Sequence, residues 1–206
     1  MAINTYATLQ SSISDWLNRS DLTSAIESFI SLAEAQMNRS IRHRDMIERA
    51  QATIDSEYSA TPADWIQSAS LILETTPVTQ LDYVTNEEMN RKKSASVATG
   101  KPQCYTHIGD EIQVYPAPDS TSYTAELVYY AKIPALSDSN TSNWLLLSHP
   151  DIYLYGSLMQ SAPYLVDDQR LGVWASLYQK AIEDLTISDQ RTQGQSSVRM
   201  RAAPLQ

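Results

Sequence analysis

The sequence has little of several residue types on which common catalytic and binding sites depend. Its single cysteine, Cys104, cannot form a disulfide within the chain, and we expect it to be a small apolar residue of the core. The five glycines are scattered, so they form no phosphate-binding loop. The histidines His43, His107 and His149 lie far apart, and none has another His or Cys at metal-ligand spacing. We therefore expect surface or helix-capping histidines, no zinc site, no cofactor and no nucleotide hydrolysis.

Long apolar runs and an excess of positive charge are also missing. No apolar run approaches the roughly 20 residues of a membrane span, and the N-terminal MAINTYATLQ lacks the basic-then-apolar order of a signal peptide. We expect a soluble protein made in the cytosol. The net charge of -9 argues against a main role in gripping nucleic acid, because such proteins neutralise phosphates with basic residues. Alternatively, the negative charge has no role in partner binding and serves only to keep the protein soluble.

Apolar residues at helical spacing predict two helices near the N-terminus. From Thr5, which can cap a helix, the pattern continues to Leu17 and stops at a polar stretch. A second apolar stripe begins near Thr23 and reaches Ile41, which corresponds to a helix of about 20 residues. We expect these helices to form an antiparallel hairpin joined by a short turn.

The C-terminal part of the chain carries signals for two further helices. Ser148 is predicted to cap the first of them, with Pro150 in the first turn. Asp167 or Asp168 is predicted to cap the second, whose apolar stripe fades near Gln190. We therefore expect helices at both ends of the chain.

The middle of the chain changes from helical to strand-like patterns. Residues 46–54 alternate loosely, 65–73 form an apolar run of strand length, and 123–133 form another long strand. Residues 103–108 and 111–115 flank a Gly-Asp turn and predict a hairpin. An antiparallel sheet of about four to six strands is expected. The remaining segments predict a turn at 58–64, a short helix at 85–91 and an exposed loop at 92–102.

These patterns predict an α+β fold in which the N- and C-terminal helices form a helical bundle and an antiparallel β-sheet domain is inserted between them in the sequence. The tail beyond the last helix has no periodicity and is expected to be extended. The predicted domains are an N-terminal helical hairpin at 1–45, the β domain at 46–142, C-terminal helices at 143–190 that pack with 1–45, and an extended arm at 191–206.

The sequence offers one superficial resemblance to a catalytic triad, in Ser148, His149 and Asp151. Neighbours at the start of a helix cannot generally face one another as nucleophile, base and orienting acid. The helix-capping interpretation accounts for the same residues. We therefore expect no catalytic residues, and we predict that the protein is not an enzyme.

Arginines and tyrosines supply the candidate contact residues. Arginines gather where the second helix ends, and they can either satisfy its last carbonyls or pair with acids of a neighbouring subunit. Twelve tyrosines against one phenylalanine favour surfaces that are partly apolar and partly wet. The candidate subunit-interface residues are Arg39, Arg42, Arg44, Tyr129 and Tyr130.

The C-terminal tail is basic within an acidic protein and carries no acid from residue 191 onward. It is either a frayed terminus or a strand-like arm that adds to the sheet edge of a partner, with its arginines reaching acids. The candidate partner-binding residues are Arg191, Val198, Arg199, Met200, Arg201 and Leu205.

Three long segments together resemble the head-to-tail adaptor (connector) proteins of tailed bacteriophages. They are residues 5–42, beginning TYATLQSSISDWL, residues 101–138, beginning KPQCYTHIGDEIQVYP, and residues 143–184, beginning NWLLLSHPDIYLYG. The resemblance rests on their order and combined pattern, and residues 45–100 contribute least to it.

The resemblance implies a structural virion protein of the neck, made in the host cytoplasm, that forms a dodecameric ring. Its implied partners are the portal protein and the next tail or nozzle protein. DNA would pass through the central channel without specific binding, and no membrane is involved. The arm would bind the portal, or alternatively a neighbouring subunit.

Four other functions are compatible with the sequence. The protein could be a head completion protein, a tail terminator protein, a DNA-packaging accessory factor, or a hydrolase or other enzyme. Salt-sensitive DNA affinity would indicate the packaging factor. Turnover that depends on His149 or Asp151 would indicate an enzyme.

Overall fold

The computed structural model describes residues 2–96, 99–119, 122–165 and 170–194, with side chains described up to residue 192. The chain forms two units. One comprises Met1–Asp45 and Ile133–Gln206, and we call it the helical unit; the other is Met46–Lys132, the β unit. The mixture of helices and antiparallel sheets confirms the predicted α+β class. The chain therefore leaves the helical unit once and returns to it once.

The described helices are, in chain order, α1 (Tyr6–Leu17), α2 (Thr23–Ser40), α3 (Asn86–Ala95), α4 (Trp144–Ser148), α5 (Pro150–Gln160) and α6 (Leu171–Gly194). The described strands are β1 (Ile47–Ile54), β2 (Tyr58–Ala60), β3 (Trp65–Leu73), β4 (Thr79–Gln80), β5 (Asp82–Tyr83), β6 (Cys104–Ile108), β7 (Glu111–Tyr115) and β8 (Tyr123–Ala131).

The two predicted N-terminal helices are confirmed, together with the cap of the first. The Thr5 hydroxyl accepts the Thr8 amide at 3.3 Å, and the Thr5 amide donates to the Thr8 hydroxyl at 2.9 Å. This reciprocal capping box satisfies amides that the helix itself leaves unpaired. At the other end Asn18 adopts a left-handed conformation, with φ 53°, and terminates α1.

The predicted cap of the first C-terminal helix is wrong. Ser148 is the last residue of the unpredicted helix α4, which Asn143 caps by accepting the Leu146 amide at 2.9 Å. Because Pro150 has no amide hydrogen, a continuous helix would lose a backbone hydrogen bond there, and α5 begins afresh at this residue. No described side chain caps α5 at His149. The predicted Asp167 or Asp168 cap of α6 lies outside the described residues.

A buried polar network fixes the segment after β8 against the helices of the helical unit. Glu34 Oε1 accepts the Leu136 amide at 2.8 Å and the Tyr153 hydroxyl at 3.1 Å. Asn143 Nδ2 donates to the Tyr153 hydroxyl at 2.7 Å and to the Pro134 carbonyl at 2.8 Å. Burial raises the pKa of Glu34, although these hydrogen bonds partly oppose the increase.

Gly156 lies where α5 approaches two other helices closely. A Cβ at this position would lie 3.0 Å from Met37 Cε of α2 and 3.0 Å from Tyr178 Cε2 of α6. The absence of a side chain therefore sets the spacing of three helices. The same core contains fully buried residues from α1, α2, α4 and α5, among them Leu9, Ile13, Ile30, Leu145, Leu146, Ile152 and Leu158.

The β unit contains two four-stranded sheets rather than the single sheet that was predicted, in the orders β1-β8-β3-β4 and β2-β7-β6-β5. The predicted hairpin of β6 and β7 is confirmed, with Gly109 at φ 59° in its turn. The parallel pair β5-β6 was not expected. The segment predicted as a turn at 58–64 includes β2, and α3 extends four residues beyond its predicted end into the supposed loop.

The core of the β unit is one apolar cluster formed by residues of both sheets. Cys104 is buried in β6, as predicted, with a free thiol. The described cluster consists of Ile54, Leu71, Leu73, Leu81, Tyr105, Ile112, Val114, Ala125, Leu127, Tyr129 and Ala131.

Candidate interaction surfaces

The arginines at the end of α2 have different surroundings. Arg42 is half-buried and donates through Nη1 to the carbonyls of Asn38, at 2.9 Å, and Ile41, at 2.6 Å. It therefore satisfies carbonyls at the helix terminus, as the local interpretation predicted. Arg39 is exposed in the last turn, and Arg44 is exposed with Nε 3.6 Å from Asp45 Oδ1. Arg39 and Arg44 are thus the accessible members of the group.

His43 corrects the expectation of surface or capping histidines. It is only 5% exposed and stacks on Trp144, with ring centroids 5.3 Å apart. Nδ1 accepts the Asp45 amide at 3.2 Å, and Nε2 lies 3.8 Å from Asp189 Oδ1. His43 therefore joins the residues after α2 to α4 and α6.

The two tyrosines proposed for a subunit interface differ in exposure. Tyr129 is 5% exposed within the β-unit core, and its hydroxyl donates to Asp64 Oδ1 at 3.1 Å. Burial, followed by this hydrogen bond, raises the pKa of Tyr129 to about 12. Tyr130 is half-buried and lies opposite Ile47 of β1. Of the pair, Tyr130 is the one that a partner can reach.

Strand β1 is a long strand at the edge of its sheet. It pairs with β8 through eight consecutive residue pairs, from Ile47↔Tyr130 to Ile54↔Tyr123, without a bulge. Among the described residues no strand pairs with its other side. In an antiparallel strand, alternate residues direct their amides and carbonyls to that side. β1 therefore presents an unpaired backbone edge.

Alternate residues of β1 border two different environments. Ala50, Ala52 and Ile54 line an apolar groove of about 250 Å³. Arg49 contacts the carboxylate of Glu126 in β8, and Gln51, which also borders the groove, contacts that of Glu74 just after β3. The other residues that line this groove are Ser59, Ala60, Thr61, Pro62, Leu71, Ile112, Ala125 and Leu127.

The outward face beside this edge is rich in carboxylates. Arg49 Nη1 lies 3.0 Å from Glu126 Oε2, and Gln51 donates a hydrogen bond to the exposed Glu74. Within the described part of the chain no Lys or Arg pairs with Glu74. Of these two acids, Glu126 pairs with Arg49, and Glu74 has no cationic partner among the described residues. The small residues at alternate positions of β1, Ala50 and Ala52, were the feature of the sequence from which this groove could have been predicted.

An aromatic cleft of about 450 Å³ lies elsewhere in the β unit, between β3 and strands β5 and β6. Its Trp65 and His107 rings have centroids 4.6 Å apart, and the exposed Tyr83 lies at its rim. Trp65 Nε1 donates to Ser68 Oγ at 3.1 Å, and Ser68 Oγ is hydrogen-bonded to His107 Nε2 at 2.9 Å, with the direction set by the His107 tautomer. Sequence reasoning missed this cluster because its residues are scattered along the chain.

The Ser68–His107 pair lacks the remaining part of a hydrolytic site. A catalytic histidine is oriented by an acceptor on its second nitrogen. His107 Nδ1 is buried and has no hydrogen-bond partner among the described residues. Burial lowers the pKa of His107, which favours the neutral ring. The pair is therefore a packing and hydrogen-bonding element of the cleft.

The candidate partner-binding residues of the tail are mostly outside the described part of the chain. Arg191 is exposed in the last turn of α6. The predicted residues Val198, Arg199, Met200, Arg201 and Leu205 lie outside the described residues.

Two features are absent from the described residues. They contain no group of His, Cys, Asp and Glu that could hold a metal ion. None of the described helices has both the length and the apolar character needed to cross a membrane.

The family model described as SU10 adaptor protein matches residues 4–201, which is nearly the whole chain. No curated protein matches this sequence. The match includes the helices of both ends and the whole β unit, so it extends over residues 45–100, where the sequence resemblance was weakest.

Proposed function

Because the chain belongs to the SU10 adaptor protein family, a family of structural phage adaptors rather than enzymes, we propose that it forms a ring that joins the portal to the tail. The ring is dodecameric, and its central channel lets DNA pass. The observation that supports this role most directly is the family match over residues 4–201.

The charge of the chain supports passage of DNA rather than binding. Each copy carries a formal charge of -9, which a closed ring multiplies. Carboxylates repel the phosphate backbone, so a lumen that they line lets DNA slide through. A packaging factor that grips DNA would instead present basic stripes.

Exposed arginines and a partly accessible tyrosine support contacts between subunits arranged head to tail, because arginines can pair with acids of a neighbouring copy of this acidic chain. Arg39 and Arg44 are accessible, and Tyr130 is partly accessible. Such a heterologous contact uses two different patches of each subunit, and repeated around an axis it closes a ring. The tail, which includes Arg191 and Arg199, is the second contact element, and it binds the portal or a neighbouring subunit.

Electron microscopy of co-assembled particles tests this proposal. The chain is mixed with the portal protein of the same phage, and the symmetry and position of the added density are determined. We expect a ring on the tail-facing end of the portal. One or two copies per portal would refute the ring, and a ring that binds only tail tubes would favour a tail terminator.

A double charge reversal tests the subunit contact. Arg39→Glu with Arg44→Glu should reduce ring occupancy on the portal at least tenfold while the free subunit keeps its melting temperature. Lys92→Glu with Lys180→Glu is the matched control, because it changes the net charge equally at other exposed positions. Equal losses in the two variants would indicate an effect of net charge alone.

A truncation tests the tail. Deleting residues 193–206 should leave the helical content and melting temperature of the free subunit nearly unchanged while weakening its assembly on the portal. If the truncated protein decorates portals as fully as the intact chain across a salt titration, the tail is only a frayed end.

A further inference from the structure

We propose that the open edge of β1 receives the C-terminal segment, residues 195–206, of a neighbouring copy of this chain as an added strand. This inference rests on the proposed ring, because it assigns the tail to the contact between adjacent subunits. It also identifies the acceptor, which is β1 together with the groove beside it.

The backbone of β1 is suited to accept a strand. Its eight regular pairs with β8 keep it in an extended conformation, and seven of its eight residues are exposed or half-buried. A strand with one unpaired side is a template for pairing with another chain, and proteins commonly shorten, charge or cover such edges. β1 is long and contains no proline. A covering strand from another copy would satisfy its remaining amides and carbonyls.

The groove fits one face of the C-terminal segment. Side chains two residues apart in a strand point to the same face, so Val198 and Met200 would point together. Ala50 and Ala52 provide short side chains on the groove side of β1, leaving space beside the edge for larger incoming groups. Burial of Val198 and Met200 against this apolar wall removes hydrophobic surface from water.

The opposite face of the segment fits the carboxylates. When Val198 and Met200 enter the groove, Arg199 and Arg201 point to the outward face of the sheet. That face carries Glu74 and Glu126. Among the described residues, Arg49 pairs with Glu126, and Gln51 donates a hydrogen bond to Glu74. The segment contains two arginines and no acid. Apolar and charged side chains therefore alternate along the segment, in the same order in which the groove and the carboxylate-bearing face alternate along β1.

The length of the segment is sufficient. Twelve residues can span about 40 Å when extended, whereas the eight residues of β1 span about 27 Å. In a ring, each copy offers one edge and one segment, so every edge is covered when the ring closes. A free subunit leaves its edge uncovered, which makes the contact dependent on assembly.

Photocrosslinking identifies the acceptor. Met200 is replaced by p-benzoylphenylalanine in the full chain, rings are assembled on the portal from a mixture of isotopically labelled and unlabelled copies, and crosslinked peptides are identified by mass spectrometry. We expect the crosslinks to join residue 200 to peptides containing residues 47–62, and to join labelled to unlabelled chains. Crosslinks within one chain, crosslinks to the portal, or rings without crosslinks would each overturn the inference.

A groove-blocking variant provides a second measurement. Ala52→Leu fills the groove beside the edge, and we expect it to lower the crosslink yield at least tenfold. Thr53→Leu is the matched control on the opposite face of the same strand, and it should retain most of the yield. Similar yields in both variants would contradict the proposed acceptor, with melting temperatures checked to confirm that both fold.

The outcomes separate this inference from the proposed function. If no ring assembles on the portal with the unmodified chain, the proposed function fails first. If rings assemble and residue 200 crosslinks to the portal, the ring function stands and the β1 acceptor is wrong.

Discussion

The buried network around Tyr153 allows a detailed test of how the helical unit is held together. Tyr153→Phe keeps the ring but removes the hydroxyl that donates to Glu34 and accepts from Asn143. Glu34 keeps the Leu136 amide and loses one of two bonds, whereas Asn143 keeps the Pro134 carbonyl and the Leu146 amide and loses one of three. A buried polar group that loses a partner costs about 1–3 kcal/mol, and we expect a loss near 2 kcal/mol at neutral pH.

The size of this loss should depend on pH. The raised pKa of Glu34 means that the folded protein favours the protonated acid. Its contribution to stability is complete below the unfolded pKa of about 4.3, and it is lost as the pH rises through the folded value. Tyr153→Phe removes a hydrogen bond to the ionised carboxylate, which raises the folded pKa further. The variant should therefore lose more stability at pH 7 than at pH 4.

Urea denaturation followed by circular dichroism at pH 4 and pH 7 measures both effects. Tyr155→Phe is the matched control in the same helix, because Tyr155 is half-buried and packs edge-on against Trp16. We expect it to change the free energy of unfolding by less than about 0.5 kcal/mol. A loss below about 0.5 kcal/mol for Tyr153→Phe, or an equal loss at both pH values, would refute the reasoning.

Three further changes test other parts of the fold. Gly156→Val should lower the free energy of unfolding by about 2–3 kcal/mol through overpacking, whereas Gly172→Val, where no described atom lies within 4 Å of the added Cβ, should change it far less in the same urea titration. The folded pKa of His107 is lowered by burial, so its contribution to stability is present above about pH 6.5 and is lost as the pH falls through the folded value. His107→Gln should therefore flatten the pH dependence of thermal stability between pH 7.5 and pH 5. Thr5→Ala should cost about 1 kcal/mol by removing a helix cap, whereas Ser148→Ala, at the end of α4, should cost less than about 0.5 kcal/mol; equal losses in denaturant titrations would contradict the capping assignment.

Long periodic segments could be predicted from the sequence, and short ones could not. α1 and α2 each carry an apolar stripe over at least three turns, and Thr5 marks where the first begins. β4 and β5 contain two residues each, which is too short to show alternation. The separation of β1, β8 and β3 from β6 and β7 depends on which distant strands pair, so the two-sheet arrangement was not visible in the sequence.

Helix α4 was missed for a related reason. Its five residues include four consecutive apolar ones, and such a run fits a short helix or a strand equally well. The signal that could have identified it was Asn143, whose side chain is suited to cap a helix. The serine assigned as a cap in its place has the right residue type but lies at the wrong end of a helix.

The candidate surfaces also show which information lies outside a linear pattern. The arginines near the end of α2 are neighbours in the chain, and their possible roles could be stated in advance. Tyr129 and Tyr130 are adjacent as well, but strand alternation places only the first in the core. The aromatic cleft joins residue 65 of one sheet to residues 83 and 107 of the other, and only the packing of the two sheets brings them together.

The two ends of the β unit leave the helical unit side by side. Ile47 near its beginning lies opposite Tyr130 near its end, and paired antiparallel residues have Cα atoms about 5 Å apart. A loop of two to five residues can bridge such a gap. Residues 46–132 could therefore be replaced by such a loop, or exchanged for another segment with adjacent ends, without changing the chain path of the helices.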